Sequence, residues 1–187
     1  GGGSFGPSLE YFVRGLELGN AVFTEFQGEL GQHTTLDQRV IDMGAGLERF
    51  AWITMGTPTA YDCCFGPINE KLFNTIGIDS DSEILRKYFT EIAKEIDHFD
   101  DLNQVRRLAI KNAGITDEQL SKMITPMEGM YLIADHLRTL IFAITDGALP
   151  SNVGGGYNLR MMLRRINATV SKLNLNLDID DLIDSHI

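Results

Sequence analysis

The N-terminal part of the chain has the apolar pattern of β-strands. Residues 9–26 are rich in β-branched and aromatic side chains, and glycines interrupt them, which predicts two strands joined by a tight turn at Arg14 and Gly15. A further short strand is predicted over residues 36–41. The segment between is predicted to be a loop, because it contains Gly28, Gly31 and His33. This part is therefore expected to hold a three-stranded sheet.

From Leu47 onward the apolar positions recur at the helical period. One helix is predicted to begin at Leu47. A second is predicted to run through residues 68–76 and to end at Gly77, because glycine readily adopts the left-handed conformation of a helix C-cap. Every strong segment beyond Asp79 is also helical, and Ser80 or Ser82 can cap the next helix.

Four more helical segments are expected in the second half of the chain. One covers residues 102–113 and ends at Gly114, and a shorter one opens at Thr116, where Gln119 completes a capping box. A long apolar helix is predicted over residues 127–144. The last begins near Gly155, and its inner face carries Leu159, Met162, Leu163, Ile166 and Val170.

These patterns predict an α+β chain with two domains. A strand-containing domain is expected over residues 1–78 and an all-helical domain over residues 79–187. A sheet of three strands with one or two helices has open edges and a poorly covered face. We therefore expect the remaining strands of this domain to lie upstream. The residues Gly1–Gly2–Gly3–Ser4 fit either a cloning linker or a native turn.

Composition narrows the functional classes. The 187 residues are 43% hydrophobic and 22% charged, which is ordinary for a globular protein. No apolar run approaches the roughly 20 residues that cross a bilayer, no signal peptide opens the chain, and the only cysteines are the adjacent Cys63 and Cys64. We therefore expect a cytoplasmic protein with no membrane partner and no zinc site.

Charge is segregated towards the C-terminus. The net charge of −10 argues against indiscriminate nucleic-acid binding. One predicted helix nevertheless carries a basic stripe, which consists of Arg160, Arg164, Arg165 and Lys172. Acidic residues crowd the segment after it, namely Asp178, Asp180, Asp181 and Asp184. The stripe fits either local RNA binding or a solvated helix face.

The most informative segment for chemistry is residues 40–50. An apolar pair leads to Asp42, which has the sequence context of a buried carboxylate, and Gly44 and Gly46 precede a helix that carries Arg49. The glycines allow close backbone approach, and a helix N-terminus favours anions. Such a strand-to-helix turn can hold a zwitterion or a nucleotide. Taken alone, the Gly-x-Gly pattern also fits an ordinary structural turn.

Several segments together resemble one family. Residues 40–50, followed by Gly56-Thr57-Pro58-Thr59-Ala60-Tyr61-Asp62, are similar to motif 3 and its sequel in the class II alanyl-tRNA synthetases, most closely the archaeal type. Residues 16–23 resemble the strand before that motif. Residues 132–138, 146–152 and 156–160, the last running into Arg164 and Arg165, resemble the family's helical tRNA-recognition domain. The resemblance covers essentially the whole chain. It implies that residues 1–78 are the C-terminal part of an antiparallel-sheet catalytic domain and that residues 79–187 recognise tRNA.

The resemblance implies roles in binding alanine and ATP. Asp42 matches the carboxylate that receives the amino group of alanine, and Arg49 matches the arginine that contacts the ATP phosphates. Gly44 and Gly46 keep side chains away from the nucleotide. Glu17 lies where the family places an acidic residue near ATP and its Mg²⁺, and Asn20 lies where it has a polar residue close to alanine.

The helical half would then bind the acceptor stem of tRNA(Ala). Asn152 matches the family's asparagine that contacts a G·U wobble pair, and an amide suits this task because it both donates and accepts hydrogen bonds. Arg160, Arg164 and Arg165 would hold phosphates beside that pair. The alternative is a glycine-rich hinge followed by arginines that face solvent.

Structural alternatives remain for the other site residues. Asp42 could cap the following helix, and Arg49 could pair with Glu17 or Glu48 in a surface ion pair. Glu17 could face solvent on an edge strand.

The overall function that we expect is that of an alanine–tRNA ligase, present as an internal fragment. Motifs 1 and 2 of the family have no counterpart in the sequence and would lie upstream, and the editing and dimerisation domains would lie downstream. The isolated chain is therefore expected to be inactive. The main alternative is a non-enzymatic module that binds a tRNA acceptor stem. A nucleotide-binding regulatory domain would explain only the Gly-x-Gly turn.

Overall fold

The computed structural model describes residues 3–78, 83–96 and 98–186. The chain divides into two compact units, Gly1–Ala60 and Tyr61–Ile187. Helices between Tyr61 and Gly77, which were predicted to belong to the first domain, lie in the second unit because helix α3 (Gly66–Ile76) packs against helix α7 (Thr125–Thr145). The described residues mix helix with antiparallel sheet, so the predicted α+β class is confirmed.

The first unit is built on an antiparallel sheet. Its strands are β1 (Ser4–Phe5), β2 (Ser8–Val13), β3 (Leu16–Glu29) and β4 (Gln32–Ala45). β3 is central, since β4 pairs along it while β1 and β2 pair with different parts of it. Helix α1 (Leu47–Met55) follows β4 and packs against β3.

The two hairpin turns of this sheet test the strand predictions. Arg14 and Gly15 both have positive φ, at 51° and 84°, as a two-residue hairpin turn requires, so the predicted tight turn is confirmed. The predicted loop after Gly28 is wrong. β3 and β4 continue past it, with Gly28 opposite His33, and only Leu30 and Gly31 lie between the two strands. A glycine inside a ladder was mistaken for a break in the strand.

The described part of the second unit contains helices and no strand. The helices are α2 (Ala60–Cys64), α3, α4 (Glu83–Glu95), α5 (Leu102–Ala113), α6 (Asp117–Gln119), α7, α8 (Gly154–Lys172) and α9 (Ile179–Asp184). Their apolar faces enclose one core, whose fully buried members include Leu72, Leu85, Ile124, Met127 and Ile133. None of the described helices is long and apolar enough to cross a membrane.

Helix ends in this unit follow local sequence signals. Gly77 and Gly114 end α3 and α5 in the left-handed conformation, and the Thr116–Gln119 capping box is present, so these three predictions are confirmed. The predicted caps Ser80 and Ser82 lie outside the described residues. Helix α9 was not predicted, because the segment after α8 was considered only for its crowded aspartates, yet Leu182 on this helix is buried.

A π-helical segment, Leu120–Ile124, joins α6 to α7. The backbone N–H of Thr125 donates to the carbonyl of Leu120, five residues earlier. Pro126 follows directly and has no N–H to donate, so the regular helical ladder is interrupted at this point. The widened turn therefore accommodates the proline within an otherwise continuous helix.

A half-buried polar cluster links three helices of the second unit. The Tyr88 hydroxyl of α4 donates to Glu128 Oε1 of α7 at 2.8 Å, and Arg106 Nη2 of α5 lies 2.7 Å from Glu128 Oε2. Burial raises the pKa of Glu128, although its contacts with Tyr88 and Arg106 act in the opposite direction. Burial and the nearby Glu128 carboxylate raise the pKa of Tyr88.

The Glu128 carboxyl makes the stability of the chain depend on pH. Because its pKa is higher in the folded chain, the folded state binds more protons than the unfolded state above the ordinary value of about 4.3. The contribution of Glu128 to the free energy of unfolding therefore falls as the pH rises from this ordinary value through the higher pKa of the folded chain. We expect urea denaturation to show this in the free energy of unfolding of the wild type minus that of Glu128→Gln. This difference should be smaller at neutral pH than near pH 4. A difference independent of pH would contradict this assignment.

Candidate functional site

Asp42 lies within strand β4, not on the strand-to-helix turn. β4 continues to Ala45, and Asp42 pairs with Val22 of β3. Its side chain is exposed in this chain, so the expectation of a buried carboxylate is wrong here. The alternative in which Asp42 caps helix α1 is also wrong, because the N-cap residue is Gly46 and no side chain caps this helix.

Asn20 and Asp42 lie on the same face of the β3–β4 hairpin. Asn20 is opposite Gly44 and Val22 is opposite Asp42, and in an antiparallel pair both opposed and alternate residues share a face. A Cβ atom at Gly44 would lie 3.3 Å from Asn20 Oδ1. Gly44 therefore leaves room for the amide, and the face presents an amide, a carboxylate and bare backbone side by side.

Arg49, on the first turn of helix α1, reaches back to strand β3. Its Nη1 donates to the carbonyl oxygen of Glu17 at 2.8 Å and to Glu17 Oε2 at 3.1 Å. The Arg49 side chain remains 45% exposed, so the guanidinium also faces solvent. One predicted alternative, an Arg49–Glu17 ion pair, is thus present. Glu17 pairs with Phe12 of β2, and β4 pairs with β3 only from Gly19 onward, so Glu17 lies near the end of a central strand.

Gly46 makes the reach of Arg49 possible. A Cβ atom at Gly46 would lie 3.0 Å from Arg49 Cδ and 3.1 Å from Arg49 Cγ, closer than such atoms normally approach. The Gly46 N–H also donates to the carbonyl of Leu18 at 3.0 Å, which ties the start of α1 to β3. The second glycine of the Gly-x-Gly pattern therefore provides space for the arginine stem.

Glu17 is the residue of this site that was predicted to contact Mg²⁺. Within residues 3–78, 83–96 and 98–186, no group of three or more His, Cys, Asp or Glu side chains could hold a metal ion. A single carboxylate suits Mg²⁺ that arrives bound to nucleotide phosphates, because phosphate and water oxygens then supply the other ligands. The site fits a nucleotide-bound ion better than an ion held by protein alone.

The predicted tRNA-binding residues lie in the second unit, around the start of helix α8. Arg160 Nη1 donates a hydrogen bond to Asn152 Oδ1, so the structure brings these two side chains together. Arg164 follows Arg160 by one helical turn on the same side, whereas Arg165 is rotated away from it. Within the described part of the chain, Arg164 and Arg165 are exposed and form no ion pair. Their charges are thus available to an anion.

Two contacts at these sites were not predicted. The Asn152–Arg160 contact joins a loop to the second turn of a helix, a separation for which no simple sequence period exists. Gly19 was also overlooked, although a Cβ atom there would lie 2.5 Å from both the Gly44 carbonyl oxygen and the Tyr11 hydroxyl. The only sequence signal for Gly19 was a glycine in the middle of a strand.

Comparisons with known proteins give a consistent result. The model of the family described as tRNA synthetases class II (A) matches residues 23–187. Over its full length the chain is 93% identical to the alanine–tRNA ligase of Nitrosopumilus maritimus and 64% identical to that of Cenarchaeum symbiosum. It is 42% identical over 190 aligned positions to the alanine–tRNA ligase of Methanocella arvoryzae. The chain spans 21%, 21% and 22% of the lengths of these three relatives.

Proposed function

The chain belongs to the class II (A) tRNA synthetase family, and we propose that it is a segment of an alanine–tRNA ligase. The complete enzyme would couple alanine to ATP, forming alanyl-adenylate and pyrophosphate, and would then transfer the alanyl group to tRNA(Ala). The observation that carries this proposal is the shared sheet face of Asn20, Gly44 and Asp42. The same strand β3 also carries Glu17, which Arg49 contacts.

In this proposal the sheet face binds alanine. The Asp42 carboxylate receives the ammonium group, and the Asn20 amide, which lies over Gly44, offers a second polar contact to the amino acid. Asp42 lies in the part of β4 that pairs with β3, and its neighbours Ile41 and Met43 are paired as well, so the ladder sets its position. A side chain held on a paired strand favours the recognition of a small substrate, because such a substrate makes few contacts.

Arg49 and Glu17 would serve the nucleotide. The guanidinium of Arg49 would contact the ATP phosphates and stabilise the charge on the departing pyrophosphate. Glu17 would contribute one oxygen to the Mg²⁺ that ATP carries. In the chain alone these two side chains bind each other, so nucleotide binding would replace part of an existing ion pair. Gly46 leaves the space in which Arg49 moves.

We further propose that this segment holds only half of the active site. Apolar side chains are exposed on both faces of the sheet: Val40, on the face of Asp42, is 51% exposed, and Ile41 and Met43, on the opposite face, are each 63% exposed. Among the described strands β4 has no neighbour other than β3. Upstream parts of the catalytic domain would cover these surfaces and supply the groups that grip the carboxylate of alanine. Downstream editing and dimerisation domains would follow.

The second unit would recognise the acceptor stem of tRNA(Ala). Asn152 would contact the G·U wobble pair, and the exposed guanidinium groups of α8 would contact phosphates. The apolar residues Leu159 and Ile166 of this helix are buried, which leaves its opposite side for RNA. The surrounding chain has a net charge of −10, so binding would depend on this local surface and not on overall charge.

Alanine-dependent exchange of pyrophosphate into ATP tests the proposal directly. The full-length protein that carries this segment is expected to catalyse the exchange, and the isolated chain of 187 residues is not. Exchange by the isolated chain would disprove the half-site proposal. Absence of exchange in the full-length protein, together with specific tRNA binding, would instead favour the non-enzymatic binding module.

A further inference from the structure

The loop that carries Asn152 is folded onto the first turn of helix α8. The backbone N–H of Ser151 donates to the carbonyl of Gly156 at 2.9 Å, and the N–H of Tyr157 donates to the carbonyl of Val153 at 3.3 Å. The Ser151 hydroxyl also donates to the carbonyl of Val153 at 3.1 Å. Asn152 therefore lies between two residues whose backbones are both hydrogen-bonded to the helix.

Gly156 makes this close approach possible. A Cβ atom at this position would overlap the Ser151 hydroxyl oxygen and would lie 2.7 Å from the carbonyl oxygen of Leu149. The neighbouring Gly155 is different, because a Cβ atom there would meet nothing within 4 Å. Of these two adjacent glycines, only Gly156 is needed for the loop to pack against the helix.

The side chain of Asn152 is oriented by Arg160. Arg160 Nη1 donates to Asn152 Oδ1, and a guanidinium has donors but no acceptor. The amide must therefore turn its oxygen towards Arg160, and the flipped orientation would place two donors against each other. The Nδ2 group, which carries two donors, is then directed away from Arg160, and Oδ1 keeps one lone pair.

We propose that Arg160 is a positioning residue that orients the amide of Asn152 for reading the wobble pair, and that Gly156 holds the loop in place for it. This inference rests on the proposed function of Asn152 in tRNA(Ala) recognition. It changes the role expected for Arg160, because its guanidinium is bound to the amide. Arg164, one turn further along the same side of α8, is left to contact phosphate.

The two roles of an arginine have different consequences for specificity. An arginine that contacts a phosphate strengthens the binding of every tRNA by a similar factor, because phosphates carry no sequence information. An arginine that orients a reading amide changes the preference between base pairs, because a misoriented amide contacts the correct pair no better than the wrong one. Arg160 is expected to act in the second way, and Arg164 in the first.

A double-mutant cycle in the full-length ligase tests this inference. The measured quantity is the ratio of kcat/KM for aminoacylation of tRNA(Ala) with the G·U pair to that with a G·C pair. Asn152→Ala and Arg160→Met are each expected to lower this ratio by about tenfold or more, and the double variant is expected to lower it no further than Asn152→Ala does. Each ratio is measured on one preparation, so a partial loss of folded enzyme cancels.

Matched controls separate positioning from simple attraction. Arg164→Ala is expected to lower kcat/KM for both tRNAs by the same factor and to leave the ratio unchanged. Gly156→Ala is expected to lower the ratio by displacing Ser151 and the loop, whereas Gly155→Ala, which meets open space, is expected to preserve it.

Two results would overturn the inference, and they are distinguishable. In the first, Arg160→Met lowers kcat/KM for both tRNAs by the same factor, and this loss adds to that of Asn152→Ala. Arg160 would then be a phosphate contact, and the proposed function would stand. If Asn152→Ala itself left the ratio unchanged, the proposed reading of the wobble pair by Asn152 would fail, and with it the positioning role of Arg160.

Discussion

Replacing Asp42 by asparagine in the full-length protein is expected to lower kcat/KM for alanine in the pyrophosphate exchange reaction by about a hundredfold to a thousandfold. Asparagine has nearly the same size and shape but no negative charge, so the ammonium group of alanine loses its counter-ion inside the completed site. Truncating one partner of such a charge pair costs about 2–5 kcal/mol. The KM for ATP should change little, because Asp42 shares the sheet face of Asn20, which is proposed to bind alanine, whereas Arg49 and Glu17 are proposed to bind ATP.

Asp37→Asn is the matched control for this substitution. Asp37 lies on the same strand, β4, and is also exposed, but no role in substrate binding is assigned to it. The control should therefore preserve kcat/KM for alanine. If both variants lost activity alike, the effect would reflect the charge or stability of the strand. If Asp42→Asn kept full activity at low alanine concentration, Asp42 would not be the group that receives the ammonium.

The positions of the turn residues show how far local sequence signals reach. The turn at Arg14 and Gly15 and the glycine end of α3 were predictable, because each depends on the backbone preference of one or two residues. The full length of strand β4 could not be predicted in this way. The polar run before residue 36 contains threonines suited to a strand, but its pairing with β3 is a long-range choice that no local period reveals.

Predictions about the candidate sites failed where exposure depends on distant parts of the chain. The apolar neighbours Val40, Ile41 and Met43 made Asp42 look buried, yet all three are exposed, at 51%, 63% and 63%. The apolar pattern of the sequence suits surfaces that are buried in the proposed complete enzyme, whereas the structure shows this segment by itself. The exposure of a carboxylate between exposed apolar residues is what we expect of a surface that another part of a protein covers.

Side-chain pairs between distant elements were beyond local sequence reasoning. The Arg49–Glu17 pair was foreseen as one alternative, because both residues belong to a recognisable strand–helix unit. The Tyr88–Glu128 hydrogen bond was not, since it joins helices α4 and α7. A glutamate in the first turn of a helix, as Glu128 is in α7, is normally attributed to the favourable field of the helix N-terminus. Only the packing of α4 and α5 shows that it is a link between helices.

Glu128→Ala is expected to lower the free energy of unfolding of the chain by about 2–3 kcal/mol. The substitution leaves the Tyr88 hydroxyl without its partner at a residue that is only 2% exposed, and an unsatisfied buried group costs about 1–3 kcal/mol. Arg106 also loses its counter-ion, but its side chain is 38% exposed, so water compensates for much of that loss. Urea denaturation followed by circular dichroism measures the change.

Glu118→Ala isolates the effect of burial from that of the ion pair. The Glu118–Lys122 pair has the same separation as the Glu128–Arg106 pair, 2.7 Å, but the Glu118 side chain is 74% exposed. Its loss is therefore expected to cost no more than about 0.5 kcal/mol, the value of an exposed pair on one helix. Tyr88→Phe in the Glu128→Ala background removes the stranded hydroxyl and should restore part of the lost stability. If the two glutamate variants were equally destabilised, or if Tyr88→Phe restored nothing, the buried hydroxyl would not be the source of the loss.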